Sequence, residues 1–293
     1  MPLNTSDILH QVRRIEIKAR GLSQELFAGE YHTAFKGKGM TFSEVRGYAV
    51  GDDIRDIDWH VTARHNAPYI KVFEEERELT VMLAIDMSGS IGFGTIGETK
   101  KELVAEIAAT LAFSAIENND KVGVLLFTDT VEKYIPPGKG KKHILYIIRE
   151  ILHFTPVGTT TKIEEALSVL NKLLKKRATT FLISDFMTDG DSEYYRNELR
   201  LTARRHDLIA VVVSDRREQT LPSMGLVQFR DTETGEKFWV NTSSRKVRAT
   251  YEEKFLKARE ERRNAMKLYG ITYAEVSTGE DFVKALLKIF SHR

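Results

Sequence analysis

The chain has 293 residues, of which 42% are hydrophobic and 29% are charged, and its formal net charge is +2. This is enough apolar material for a sizeable core, and the near-balance of charge gives no bulk attraction to nucleic acid or anionic lipid. The absence of cysteine excludes disulfides, thiolate metal sites and cysteine nucleophiles. Because no long apolar segment and no leader-like start is present, we expect a cytoplasmic protein without a membrane span.

Residues 1–78 predict a small N-terminal domain that combines one helix with a β-rich part. The amphipathic spacing of apolar residues between Leu9 and Leu26 indicates the helix. From Tyr31 to Glu76, glycines, aromatic residues and dense charge are typical of short strands joined by turns. We expect Trp59 in the core of this domain. The acidic cluster between residues 52 and 58 is expected to pair with neighbouring arginines, because it lacks the glycine and closing glutamate of a calcium loop.

From residue 79 to residue 293, strands and helices alternate. The expected strands are 79–85, 121–129, 179–185, 208–215 and 271–276, and the helices between and after them are 100–117, 143–152, 162–175, 193–205, 247–269 and 281–290. This alternation predicts a Rossmann-like α/β domain, with a mostly parallel sheet and helices on both faces. Val131 to Ile135 is expected to be an antiparallel edge strand, because Pro136 and Pro137 follow it. A β-hairpin is expected as an insertion at about 220–243.

The first strand of this domain ends in a cluster of oxygen-bearing side chains. Leu79 to Ile85 is apolar without alternation, as in a central parallel strand, and Asp86, Ser88 and Ser90 follow it. Ligands of open α/β sheets bind beyond the carboxyl ends of such strands. Carboxylate and hydroxyl oxygens suit hard cations, so the stretch predicts a Mg²⁺ site, with Mn²⁺ or Ca²⁺ as alternative ions.

Three neighbouring oxygens do not complete a metal site, so further ligands are expected from other strand-end loops. Two loops on the same predicted edge carry suitable side chains. One is the hydroxyl-rich stretch Gly158-Thr-Thr-Thr161, which opens a helix, and the other contains Asp185, at the end of the strand that begins at Thr179.

The order of these elements resembles the metal-ion-dependent adhesion site of von Willebrand factor A domains, in which an Asp-x-Ser-x-Ser loop, a Thr and a further Asp hold Mg²⁺. The resemblance implies that the metal ligands of this chain are Asp86, Ser88, Ser90, Thr161 and Asp185. Thr161 matches the family threonine by its position directly before the helix at Lys162. Thr160 is the alternative.

The N-terminal segment is similar to a bacterial family catalogued as domain of unknown function 58. The similarity lies in Phe35-Lys-Gly-Lys-Gly39, Phe42-Ser-Glu-Val-Arg46-Gly-Tyr48, Gly51-Asp-Asp-Ile-Arg55-Asp-Ile-Asp-Trp59 and Ala63-Arg64. It implies a non-enzymatic adaptor that acts with a MoxR-type AAA+ ATPase in the assembly or maturation of client proteins. The resemblance to the adhesion site implies in addition that a carboxylate of the protein partner occupies the open coordination position of the metal. Many members have N-terminal membrane helices, whereas this chain resembles the short cytoplasmic form.

An enzyme is the competing class, either a metal-dependent hydrolase or a nucleotide-binding protein. The stretch Gly92-Phe-Gly-Thr-Ile-Gly97 matches a dinucleotide fingerprint, but the tight turn that the fingerprint requires is occupied by Asp86 to Ser90. Asp129 is too distant to be the expected ribose-binding acid. No histidine lies in the three ligand loops, so a hydrolase would lack an evident general base. Asp215 also ends a strand on this edge, and a capping role is favoured for it.

Overall fold

The computed structural model describes residues 12–23, 40–75, 78–94, 99–187, 193–230 and 235–291. Several predicted features therefore lie outside the described residues: both ends of the first helix, the segment 35–39, part of the glycine fingerprint at 95–97 and most of the hairpin turn at 231–234. The chain divides into two compact units, one of Phe35–Leu79 and the other of Met1–Ala34 together with Thr80–Arg293.

The smaller unit is built on two antiparallel strands, β1 (Met40–Gly47) and β2 (Tyr69–Glu75). Between them lie a short 3₁₀ turn at Ile54–Asp56 and helix α2 (Trp59–His65). Asp58 begins α2 by accepting the backbone N–H groups of the first turn, which would otherwise lack partners. The described part of this unit therefore consists of short strands and turns with one short helix.

The charged cluster of the smaller unit forms internal ion pairs, as its composition predicts. Arg46 contacts both carboxylate oxygens of Asp52, at 2.9 and 2.7 Å, and Arg55 contacts Asp53 at 3.3 Å. The prediction for Trp59 is wrong, because this side chain is 67% exposed. Trp59 is the first residue of α2, where a capping residue sets the helix start and the apolar side chain projects to solvent.

The larger unit has a six-stranded sheet. Its strands are β3 (Thr80–Asp86), β4 (Lys121–Phe127), β5 (Val131–Gly138), β6 (Thr179–Ser184), β7 (Asp207–Ser214) and β10 (Thr272–Ser277). They lie in the order β10-β7-β6-β3-β4-β5, and every neighbouring pair is parallel except β4 and β5. The predicted α/β fold, with its antiparallel edge strand, is confirmed. Pro136 and Pro137 both lie within β5, on the edge of the sheet.

Helices cover both faces of this sheet. They are α1 (12–23), α3 (Lys100–Glu117), α4 (Lys141–His153), α5 (Ile163–Leu173), α6 (Glu193–Arg205), α7 (Arg216–Gln219), α8 (Arg245–Leu268) and α9 (Phe282–Ser291). On one face, Met82 and Ala84 of β3 join a core with side chains of α5, α6 and α8. On the other face, α3 packs on β3, β4 and β7. The central strands are buried on both sides, which explains their uninterrupted apolar sequences.

The burial of helix α3 shows that the first helix of the chain packs on the larger unit. The i, i+4 spacing of Leu103, Ile107, Leu111 and Ala115 predicts one apolar face, whereas almost all of the helix is buried. The reason is that α1 and α4 cover the side turned away from the sheet: Lys18 of α1 pairs with the buried Glu106, and Arg20 lies over the ring of Phe113. The first helix therefore packs with the larger unit, which corrects its placement in an N-terminal domain of residues 1–78.

The predicted hairpin is present as β8 (Leu226–Arg230) and β9 (Lys237–Asn241), which pair antiparallel to each other. It lies between α7 and α8 in the chain, as an insertion into the alternating pattern. In the part of the chain that the structure describes, no helix is both long and apolar enough to cross a bilayer.

Candidate metal centre

Three loops meet at the carboxyl edge of the central strands. The first follows β3, which ends at Asp86; the second precedes α5 and contains Thr161; the third follows β6 and contains Asp185. Strands β3 and β6 are parallel neighbours, so their carboxyl ends lie side by side. All five predicted ligands are buried, with exposures between 0% and 8%.

Asp86 is the centre of this cluster. Its Oδ1 accepts the backbone N–H of Ser88 at 2.9 Å, and its Oδ2 accepts the hydroxyl of Ser184 at 2.6 Å. The Thr161 hydroxyl lies 3.4 Å from the same Oδ2. The hydroxyls of Ser88 and Ser90 are 3.2 Å apart. Hydroxyl groups from two loops and from the last residue of β6 are thereby gathered around one carboxylate.

Hydrogen bonds hold the threonine loop against the Asp86 loop and against strand β5. The N–H of Gly89 donates to the carbonyl of Thr159 at 2.9 Å. The carboxylate of Glu132 accepts the N–H groups of Val157 and Gly158, at 2.8 and 2.9 Å. At Gly158 an added Cβ would lie 2.2 Å from the carboxylate of Asp129 and 2.4 Å from the hydroxyl of Thr128, so any larger residue would have to displace these side chains. The threonine loop is therefore fixed before any ligand arrives.

Asp185 differs from Asp86 in having a charged partner. Its Oδ1 accepts the N–H of Met187 at 3.0 Å, and its Oδ2 accepts the ammonium of Lys100 at 2.8 Å. Lys100 Nζ is also 2.6 Å from Oε1 of Glu218. The backbone carbonyl of Asp185 accepts the guanidinium of Arg262 at 3.2 Å. Two cationic side chains therefore contact this one residue.

The pKa values of Asp86 and Lys100 are both displaced by burial and by neighbouring charges. Burial, and after it the charge of Asp185, raises the pKa of Asp86 to about 6, against the lowering effect of its hydrogen bonds. Burial by itself would lower the pKa of Lys100, but the carboxylates of Asp185 and Glu218 raise it above its ordinary value. A divalent cation near Asp86 would favour the ionised carboxylate and remove the cost of burying an uncompensated charge.

The donor set fits a hard divalent cation. All five side chains offer oxygen, which Mg²⁺ prefers, and Mg²⁺ keeps several waters rather than requiring a full protein cage. Among the described residues, no group of three or more histidine, aspartate or glutamate side chains is arranged to hold a metal. The candidate site therefore depends on the hydroxyls of Ser88, Ser90 and Thr161 in addition to its carboxylates.

The structure distinguishes the two candidate threonines and adds residues that the sequence did not indicate. Thr161 is buried beside Asp86, whereas Thr160 is exposed. Ser184, Lys100 and Glu218 were missed. Ser184 could have been noticed as a hydroxyl next to Asp185 at a strand end, but a lysine at the start of a helix carries no signal of burial.

Asp215 has the capping role that its position favours. It precedes α7, and its Oδ1 accepts the N–H of Arg217 at 2.8 Å. Its Oδ2 accepts the hydroxyl of Thr278 at 2.6 Å. The capping box is completed by Glu218, whose Oε2 accepts the N–H of Asp215 at 2.8 Å.

Each of the three ligand loops also exposes an apolar side chain. Phe93 follows the Asp86 loop, Val157 precedes the threonine loop and Met187 follows Asp185, with exposures of 37%, 92% and 46%. Isolated exposed apolar residues are ordinary, but here one adjoins each of the three loops that carry the buried polar cluster. These three residues are called the apolar rim below.

The fold and the site together define a von Willebrand factor A-like domain, in which strand-end loops gather oxygen donors. The chain belongs to the DUF58 family: the model described as protein of unknown function DUF58 matches residues 44–261. The sequence-based assignment is confirmed. Uncharacterized proteins of Mycobacterium bovis and Mycobacterium tuberculosis are both 30% identical over 226 residues, which cover 76% of this chain and 70% of each relative.

Solved structures with a similar fold are more distant in sequence. An aerotolerance-related membrane protein from Bacteroides fragilis is 15% identical with a TM-score of 0.49, over 73% of this chain and 97% of that chain. The SpRpn10 VWA domain is 9% identical with a TM-score of 0.40, over 74% of this chain and 95% of that chain. Because these scores are low, the fold assignment rests on the strand order of the chain itself.

Proposed function

We propose that this chain is a Mg²⁺-dependent, non-enzymatic adaptor that binds a protein partner at the carboxyl edge of β3 and β6. The observation that carries the proposal is the buried cluster of oxygen donors around Asp86, together with the exposed apolar rim on the same three loops. A small-molecule site would favour a concave apolar pocket. A polar centre with apolar residues on the surrounding loops instead favours a protein surface.

The residues divide into two roles toward the ion. Asp86, Ser88, Ser90 and Thr161 would contact it through their side-chain oxygens, and Asp185, whose oxygens already accept from Met187 and Lys100, would act through water. When bound, the ion supplies a positive charge to which a carboxylate of the partner can be attached. Phe93, Val157 and Met187 would then bury apolar surface against the same partner.

Membership of the DUF58 family supports a more specific form of this proposal. We expect the partner to be a MoxR-type AAA+ ATPase or its client, with this chain acting in the cytoplasm during assembly or maturation of other proteins. The competing function is a metal-dependent hydrolase or a nucleotide-binding enzyme that uses the same loops. Against it, the three ligand loops contain no histidine that could act as a general base.

The first test is thermal melting with and without millimolar Mg²⁺ or Mn²⁺. A ligand that binds only the folded state raises its stability by about 2.7 kcal/mol at one hundred times its dissociation constant. We expect this gain for the wild type and its loss in Asp86→Asn. Asp215→Asn is the matched control, because it makes the same change at another strand end, and it should keep the gain. If the wild type itself does not respond, metal-mediated binding by the free protein is wrong.

The second test measures association with a purified MoxR-type ATPase. Such an ATPase itself uses Mg²⁺ with its nucleotide. The Mg²⁺ concentration must therefore be held constant while variants of this chain are compared. We expect binding by the wild type and Asp215→Asn but not by Asp86→Asn. Melting with ATP or NAD addresses the enzyme alternative: a nucleotide-induced rise in the melting temperature would favour it over the adaptor.

A further inference from the structure

Lys100 is a fully buried cation beside a candidate metal ligand. It is the first residue of α3, a position at which side chains usually reach solvent, yet its side chain is 0% exposed. The ammonium lies 2.8 Å from Oδ2 of Asp185 and 2.6 Å from Oε1 of Glu218. Burying a charge is costly unless it is paired and hydrogen-bonded, and these two carboxylates provide the pairing.

This contact makes the two candidate acidic ligands unequal. The carboxylate of Asp86 accepts hydrogen bonds from uncharged groups, the N–H of Ser88 and the hydroxyls of Ser184 and Thr161. One oxygen of Asp185 is instead paired with the ammonium of Lys100. A divalent cation near both aspartates would therefore meet the full charge of Asp86 but a largely compensated charge at Asp185, together with repulsion from Lys100.

We propose that Lys100 reduces the negative charge that Asp185 presents to a cation in the candidate metal centre. By pairing with Asp185, it weakens the affinity of the free protein for the ion and leaves the bound ion positive enough to attract a carboxylate from outside. Without Lys100, two uncompensated aspartates would neutralise a divalent ion and hold it tightly. This inference rests on the proposed function, since it concerns the same ion.

Glu218 shares the ammonium of Lys100 with Asp185. Oε2 of Glu218 accepts the N–H of Asp215 at 2.8 Å within the capping box of α7, so the carboxylate is held in place while Oε1 contacts Lys100. If Glu218 loses its charge, the ammonium is left with Asp185 as its charged partner in this cluster. The candidate site then becomes more positive, which opposes cation binding.

The test compares variants whose expected effects have opposite signs. Lys100→Met removes the repelling charge and should tighten Mn²⁺ binding about tenfold, whereas Glu218→Gln should weaken it about threefold. Binding is measured as the dissociation constant of Mn²⁺ by electron paramagnetic resonance. If Lys100 only supported the local structure, both variants would weaken binding. The double variant Lys100→Met/Glu218→Gln removes one positive and one negative charge. It should still bind more tightly than the wild type if the single variant does not fold, because the removed ammonium contacts Asp185 directly.

A second readout concerns the open coordination position. With saturating Mn²⁺, acetate should displace bound water and lower the water-proton relaxation rate. Lys100→Met should need about fivefold more acetate than the wild type, because the ion retains less positive charge. In Lys100→Met the affinity for Mn²⁺ should therefore rise while the affinity of the bound ion for acetate falls. A general loss of stability cannot change the two affinities in opposite directions.

The outcomes separate this inference from the function on which it rests. If the wild type binds Mn²⁺ and neither variant that lacks Lys100 binds it more tightly, the role of Lys100 is overturned while the metal site stands. If the wild type binds no Mn²⁺ but Lys100→Met does, the charge role is supported and metal-mediated adhesion by the free protein is not. If no form binds Mn²⁺, both proposals fail.

Discussion

Asp86 and Asp215 lie at the carboxyl ends of parallel strands in one sheet, and both are fully buried, yet their surroundings differ. Asp215 directly precedes a helix and accepts the N–H of Arg217 and the hydroxyl of Thr278. Asp86 precedes a loop with two more hydroxyls, and the charge of a second aspartate helps to raise its pKa. A strand-end aspartate is therefore a structural cap where a helix comes next in the chain and a candidate ligand where a hydroxyl-bearing loop comes next.

The largest expected effect tests the structural side of this comparison. Asp215→Ala should lower the free energy of unfolding by about 3 kcal/mol, because it removes a helix cap and leaves the buried Thr278 hydroxyl without this acceptor. Asp86→Ala in metal-free protein should cost about 1 kcal/mol, since removing a carboxylate that burial disfavours offsets the lost hydrogen bonds. Urea unfolding in the presence of a chelator measures both values. Equal losses would show that Asp86 is also structural.

The pH at which the two aspartates are compared matters because of His206. Burial, followed by the charges of Arg205 and Arg177, lowers the pKa of His206 to about 4. The ordinary value is about 6.5, so this histidine contributes stability above that pH, which is lost as the pH falls through the folded-state pKa.

We expect the wild type to lose about 3 kcal/mol more than His206→Asn between about pH 7 and pH 3, measured by urea unfolding. Asparagine can still accept the N–H of Ala178, which now donates to Nδ1 of His206 at 3.3 Å. Parallel losses in both proteins would contradict the buried neutral histidine. Comparisons of the aspartate variants therefore belong at pH 7 or above.

A smaller effect tests whether the threonine loop must be held in place. In Gly158→Ala the new Cβ would lie 2.2 Å from Oδ1 of Asp129 and 2.4 Å from Oγ1 of Thr128. We expect a loss of about 2 kcal/mol in unfolding free energy and a weaker response to Mg²⁺ in thermal melting, because Thr161 moves with the loop. Gly92→Ala is the matched control: its Cβ meets nothing within 4 Å, and it should behave like the wild type.

The smallest effect on stability is expected at the apolar rim. Replacing Phe93, Val157 and Met187 by serine should change the free energy of unfolding by less than about 1 kcal/mol in total, because all three are at the surface. The Mg²⁺ response should remain, while association with the partner weakens. Leu268→Ser is the control, an exposed apolar residue at the end of α8. If the rim variant binds the partner as tightly as the wild type does, the three apolar side chains do not contribute to the association.

Much of the fold could be predicted because its signals are local. Apolar strands alternate with helical patterns, and in a parallel sheet this alone brings the ends of β3 and β6 to one edge. Asp86, the hydroxyls after it, Thr161 and Asp185 could therefore be grouped from their positions at strand ends. The two prolines likewise indicated the antiparallel edge strand β5.

The missed features depend on contacts between distant parts of the chain. Lys100 meets Glu218 across 118 positions, and Ser184 meets Asp86 across 98. The burial of α3 depends on α1, which no periodicity within α3 reveals. Trp59 was misplaced because an aromatic residue next to apolar positions is usually buried, whereas here it stands at an exposed helix start. Local pattern identifies the candidate ligands, but the charged side chains beside them are brought there by tertiary packing.

Strand β5 also decides how other chains can approach this sheet. An exposed strand edge is a template on which a foreign strand can be added, and such addition is a common route to aggregation. Pro136 and Pro137 have no backbone N–H to offer, and β5 ends directly after them at Gly138. At this edge of the sheet, β5 therefore opposes the addition of a strand from another chain.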